Sequence, residues 1–209
     1  MEEVDLKSEK YEKHRAAGKI LAETLSESVK RIEVGVTHLE VAEFAENRIR
    51  ELGGEPAFPV NISINEEASH STPGMDEKTK FGEEMICLDI GVHVDGWIAD
   101  AAKTVDLSGN PKLVEAAEEA LKAALDLIEP GVNVGKIGEV IESKIDRMGY
   151  NSIINLSGHG VGEYDAHIGP NIPNCAIETG VELEIGDVVA IEPFATEGEG
   201  KVTEGGKEE

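Results

Sequence analysis

IEVGVTHLEVAEFAENRIRELG, residues 32–53, is matched at a constant offset of 96 by IEPGVNVGKIGEVIESKIDRMG, residues 128–149. Eight of the 22 aligned pairs are identical, among them Gly35/Gly131, Glu43/Glu139, Glu46/Glu142 and Gly53/Gly149. Helical periodicity accounts for the apolar matches but does not require the Gly and Glu ones, so the two stretches read as an internal repeat. Each copy reads as a loop containing a Gly, then a helix, then a closing Gly of the kind that stops helices. Working outward, a second helical pattern precedes each copy. Apolar residues recur near a 3.6 spacing over 5–31 (Leu21, Leu25, Val29, Ile32) and over 111–128 (Leu113, Ala117, Leu121, Leu125, Ile128). Extended segments follow both. Two helix pairs, each leading into strands, predict an α+β domain with a pseudo-two-fold repeat, its helices covering a mainly antiparallel sheet. One domain over 1–196 and a polar tail over 197–209 are expected.

The 209 residues are 40% hydrophobic, enough for one domain with a sizeable core. No run of 18 apolar residues exists to span a membrane. The charged start MEEVDLKSEKYEKHRAAGK lacks the apolar segment of a secretory signal. Two cysteines, Cys87 and Cys175, exclude a disulfide scaffold and carry no zinc or redox spacing, so a cytoplasmic location is expected. Lys plus Arg number 19 against 43 Asp plus Glu, a net charge of −24. Such a surface repels phosphate backbones and anionic lipid, which argues against nucleic-acid and membrane partners. Most of these acids read as a solvated surface.

Some do not. In MICLDIGVHVDGWIADAAKTVDL (85–107), Asp95-Gly96 is a two-residue hairpin turn. Pairing outward from it sets Val94 opposite Trp97, Gly91 opposite Asp100 and Asp89 opposite Ala102. Alternation then gives an apolar face (Ile86, Leu88, Ile90, Val92, Val94, Trp97, Ala99, Ala101) and a second face carrying Asp89 and Asp100. These are diagonal neighbours, Cα atoms about 7–8 Å apart, over the small residues Gly91 and Ala102. Two carboxylates in a shielded site resist ionising together unless a cation joins them, and two divalent ions about 3.5–4 Å apart suit the geometry. The competing reading is a wet face with ordinary surface acids.

LSGHGVGEYDAHIGP (156–170) places His159 between glycines, as an imidazole presented from a tight loop, with His167 eight residues on. Glu192 lies within the apolar run VVAIEPFA, where a carboxylate needs either a metal or a salt bridge. Pro193 after it marks a strand edge or bend. His70 ends FPVNISINEEASH (58–70) near a strand end. His14, His38 and His93 read as ordinary surface histidines.

In order, FPVNISINEEASHSTP, LDIGVHVDGWIAD, NLSGHGVGEYDAHIGP and VVAIEPFA resemble the methionine aminopeptidases, specifically the type II branch in a short, archaeal-like form. The resemblance runs from about residue 5 to 206. It implies the pita-bread (creatinase/aminopeptidase) fold and removal of the N-terminal methionine from nascent polypeptides, at the ribosome, by a monomer. By resemblance, Asp89, Asp100, His159 and Glu192 are ligands of two divalent metal ions, with Co, Mn, Fe or Zn as candidates. His70 and His167 contact the scissile amide, Glu192 doubles as general base, and Phe58, Ala166 and Phe194 line the methionine pocket. A fifth family ligand, a bridging Glu on a later strand, has no counterpart before Glu209. The expectation is therefore a C-terminal truncation with weakened dinuclear binding and little activity of its own. The competing expectations are an inactive, weakly metal-binding fragment or binding protein on the same fold, and a proline-specific dipeptidase.

Overall fold

The computed structural model describes residue 5 and residues 7–203. The last part of the expected tail, including Glu204, Glu208 and Glu209, lies outside the described residues. The chain divides into two compact units, residues 1–111 with 160–169, and residues 112–159 with 170–209.

In the first unit, α1 (Glu9–Ser28) and α2 (His38–Glu51) precede β1 (Glu55–Pro56), β2 (Asn61–Ile64), β3 (Met85–Val94) and β4 (Trp97–Asp106). β3 and β4 pair antiparallel over ten positions, from Val94 opposite Trp97 to Met85 opposite Asp106, in the register read from the Asp95-Gly96 turn. Both turn residues have positive φ, the conformation a twisted two-residue hairpin needs. β2 and β1 share the other edge of β3, with Asn61 opposite Asp89 and Pro56 opposite Val92. Ile86, Leu88, Ile90 and Val92 are fully buried against Ala17 and Leu21 of α1 and Val41, Ala45 and Ile49 of α2. Thr37 caps α2 through a reciprocal pair with Glu40. The Thr37 hydroxyl and N–H hold the Glu40 carboxyl below the usual carboxylate range.

The later elements build the same local structure. α3 (Pro111–Leu125) is followed by α4 (Val134–Arg147), β5 (Asn151–Ser152), β6 (Ser157–Gly160), β7 (Ile168–Pro173), β8 (Val189–Ala190) and β9 (Ala195–Thr196). β5 pairs β9 antiparallel, and β6 lies between β7 and β8. Asn133 caps α4 at the position equivalent to Thr37. The four repeat glycines 35, 131, 53 and 149 all have φ between +86° and +94°. The repeat extends beyond the helices. The Gly35 N–H donates to Phe81 O and the Phe81 N–H to Val36 O, as the Gly131 N–H donates to Leu183 O and the Leu183 N–H to Val132 O. The ladder partners Pro56/Val92 and Ser152/Ala195 match in the same way, which makes Glu192 the repeat equivalent of Asp89.

The buried line of α3 is Ala116, Ala120 and Ala124, one position before the predicted stripe, and Leu125 and Ile128 stay largely exposed. His14 and His38 are buried, not surface residues. His14 Nδ1 meets Ile98 O at 2.8 Å and burial lowers its pKa, while His38 stacks on Phe81. The run 187–195 is two short strands interrupted at Ile191–Phe194, since Pro193 offers no ladder N–H. Residues 198–202 are tied down by the side chains of Asn151, to Gly198 O, and Asn155, to Val202. No helix among the described residues is long and apolar enough to cross a membrane.

Candidate functional site

The apolar faces of β3 and β4 are used up by the core, so their alternate residues turn to the other side. Asp89, Gly91 and His93 on β3 share that side with Asp100 and Ala102 on β4, because Gly91 pairs with Asp100 and Asp89 with Ala102. Both aspartates are half-buried. Asp89 receives a long hydrogen bond, 3.4 Å, from Asn61 Nδ2, and the Thr72 hydroxyl donates to Asn61 Oδ1 at 2.7 Å. This chain limits the rotation of the Asn61 amide and so holds one carboxylate oxygen in place. The space over Gly91 is not vacant. The Phe58 ring, half-buried, fills it.

His70 and His167 come together in the same unit, ring centroids 6.3 Å apart. His70 has φ +62°, a left-handed backbone that a non-glycine residue adopts only when its surroundings impose it. Both imidazoles are exposed, as groups meeting a ligand from solution must be. The Asp165 carboxylate accepts from the His167 N–H. Ala166, beside His167, is half-buried.

A positioning device here was not legible in the sequence. Tyr164, also at positive φ, lays its ring on the hairpin turn: a Cβ on Gly96 would come within 2.5 Å of its Cδ2 and 2.9 Å of its Cζ. The Tyr164 N–H donates to Gly96 O at 2.8 Å, Glu163 bridges to Trp97, and the His93 ring meets Tyr164 edge-on at 5.4 Å. The segment carrying His167 is thereby docked on the hairpin carrying Asp89 and Asp100. Tyr164→Ala is expected to speed amide exchange over 161–168 about tenfold, the equivalent of about 1.4 kcal/mol of local opening. Tyr164→Phe should exchange like the wild type, because the contact is made by the ring. Equal exchange in all three proteins would count against the docking role.

In the second unit, His159 lies on strand β6, not in a tight loop, and is 6% exposed. Its flanking glycines have another purpose. Neither has positive φ, but a Cβ on Gly158 would strike the Ala190 carbonyl, and one on Gly160 the Gly169 carbonyl. The glycines let the neighbouring strands β7 and β8 close over β6. His159 Nε2 lies 2.9 Å from Glu192 Oε1, yet that buried oxygen receives no hydrogen bond. Two ligands bound to one ion at about 2.0–2.2 Å and a right angle would stand about 2.9 Å apart. An imidazole nitrogen and a carboxylate oxygen at this spacing are chemically suited to one divalent cation, so the residues present fit a metal. Phe194 follows two residues on, half-buried. The opposite alternation sends Val189, Ile191 and Ala195 to the core with Ile137, Ile141 and Ile172. Neither Cys87 nor Cys175 forms a disulfide.

The model of Metallopeptidase family M24 matches residues 12–206. A methionine aminopeptidase of Archaeoglobus fulgidus is 53% identical over 197 residues, 94% of this chain and 68% of that protein. One of Methanocaldococcus jannaschii is 52% identical, again over 94% and 68%. Among solved structures, the methionine aminopeptidase of Thermotoga maritima superposes with a TM-score of 0.86 at 31% identity, covering 96% of this chain and 86% of that one. A prolidase of Pyrococcus furiosus, 23% identical with a TM-score of 0.77, shares the fold.

Proposed function

The chain belongs to Metallopeptidase family M24 and has its pita-bread fold, and on that premise we propose that it removes the N-terminal methionine of peptides. The observation that carries a metal-assisted reaction is the 2.9 Å approach of His159 Nε2 to an oxygen of Glu192 that no hydrogen bond satisfies. In this reading Asp89 and Asp100 from the hairpin join His159 and Glu192 in holding two divalent ions. Three carboxylates with one imidazole suit Mn, Fe or Co at least as well as Zn. Bound divalent ions lower the pKa of water and polarise a carbonyl. The protein's own groups do the rest. Glu192 accepts the proton of the attacking water and passes it towards the leaving amine. His167 donates to the carbonyl oxygen as it gains charge, and His70 steadies the amide nitrogen. Phe58, Ala166 and Phe194 enclose the methionine side chain. The substrates are the N-termini of nascent polypeptides in the cytoplasm, handled by a monomer.

The test is release of free methionine from Met-Ala-Ser by protein reconstituted with Mn(II), against X-Pro dipeptides under the same conditions. Cleavage of the tripeptide, abolished by chelator, is expected. Cleavage of the X-Pro dipeptides alone would reject the methionine reading in favour of a proline-specific dipeptidase.

A further inference from the structure

We propose that Gly91 determines specificity: lacking a side chain, it seats the Phe58 ring on the carboxylate face of β3, and so sets the depth of the pocket for the substrate's first side chain. The proposal rests on the reading of Phe58 as a pocket wall and adds the residue that decides where that wall stands.

Glycine is not needed at 91 for its backbone, since its φ is not among the positive ones and Gly91 sits within a regular ten-residue ladder. It is needed for room. A Cβ there would come within 2.6 Å of Phe58 Cδ1 and 2.8 Å of Cζ, and closer still to Cε1. All three are atoms of one rigid ring, so no flexible end can yield. The backbone cannot withdraw either. The Ala57 N–H donates to Gly91 O at 2.9 Å, and Pro56 is in register with Val92, so Phe58 begins one residue from a fixed point. The direction of the missing Cβ is set by alternation. It points to the side shared with Asp89, two residues away, and Asp100, the register partner. A methyl at 91 therefore drives the ring outward, away from the sheet and into the space over the carboxylates. The core behind the strand, Ile90 and Val92, faces the other way and is not disturbed.

The experiment is a double-mutant cycle in the full chain with Mn(II), using Gly91→Ala, Phe58→Ala and the double variant. Gly91→Ala is expected to lower kcat/KM for Met-Ala-Ser relative to Ala-Ala-Ser about tenfold, the low end for losing one methylene's worth of pocket. Mn(II) affinity by calorimetry should not change. With 4-fluorophenylalanine incorporated, the Phe58 ¹⁹F resonance should shift while those of Phe44 and Phe81 stay. In the Phe58→Ala background, Gly91→Ala should have no further effect, because no ring remains to be pushed. Additive effects, or a Gly91→Ala variant that loses Mn(II) affinity with selectivity intact, would overturn the proposal while leaving the pocket reading in place. If Phe58→Ala itself leaves Met over Ala selectivity unchanged, the pocket reading fails and the proposal with it. The ¹⁹F shift still reports, independently of turnover, whether the ring rests on Gly91.

Discussion

Glu192→Gln is expected to reduce turnover of Met-Ala-Ser by about a thousandfold, within the range for losing a positioned general base. The Glu192 carboxylate is partly buried, one of its oxygens faces His159 Nε2 at 2.9 Å, and that oxygen has no donor. A buried acceptor left unsatisfied costs about 1–3 kcal/mol. In the metal-free protein the amide of Gln can donate to an unprotonated imidazole nitrogen and carries no charge. The variant should therefore be at least as thermostable as the wild type without metal, while binding Mn(II) more weakly. A group that lowers stability in the empty protein and is indispensable in the loaded one is held for chemistry. Turnover within a few-fold of wild type, or a clear loss of metal-free stability, would make Glu192 a structural acid.

The second large effect concerns two helix glycines that a sequence cannot tell apart. Gly18 lies within α1 and Gly138 within α4. Alanine in place of a mid-helix glycine gains roughly 0.5–1 kcal/mol from propensity and chain entropy. At Gly18 nothing lies within 4 Å of the added methyl, so Gly18→Ala should be stabilised by about that amount. At Gly138 the methyl would strike the Cys175 carbonyl oxygen, stand 2.9 Å from Pro173 O and 3.0 Å from the Cys175 carbonyl carbon. These are backbone atoms of a segment held both to α4 itself and to β5. Glu142 accepts from the Ala176 N–H at 2.8 Å, and Ser152 donates to Asn174 O. Overpacking against backbone costs about 1–3 kcal/mol or more, so Gly138→Ala should lose about 2 kcal/mol net. Urea melts give the totals, and amide exchange at Ile141 and Ile145 places the loss in α4. Equal responses of the two variants would show that the 173–176 segment gives way freely.

This contrast shows where sequence reasoning succeeds and where it stops. The repeat alignment sets Gly138 opposite Ala42, which invites alanine at 138. Only the position of Cys175, 37 residues away, forbids it. The same division runs through the site. The shared face of Asp89 and Asp100 follows from one turn and the period of a strand, and all ten ladder positions have that register. The glycines around His159 read as turn residues in the sequence, whereas in the fold they serve close packing between strands. His14 and His38 read as surface residues because a lone histidine in a polar stretch carries no sign of the wall it will meet.

What the sequence alone determined was whatever depends on near neighbours: the two helix pairs, their closing glycines Gly53 and Gly149, the Asp95-Gly96 hairpin and its face of acids. These follow from backbone sterics and short-period patterning, which act over a few residues. What only the tertiary structure decided was contact between residues distant along the chain: Phe58 on Gly91, Tyr164 on Gly96, and His159 against an unsatisfied Glu192. The reason is that packing is a matter of volume and direction in three dimensions, and no local pattern encodes which distant atom will occupy the space a glycine leaves.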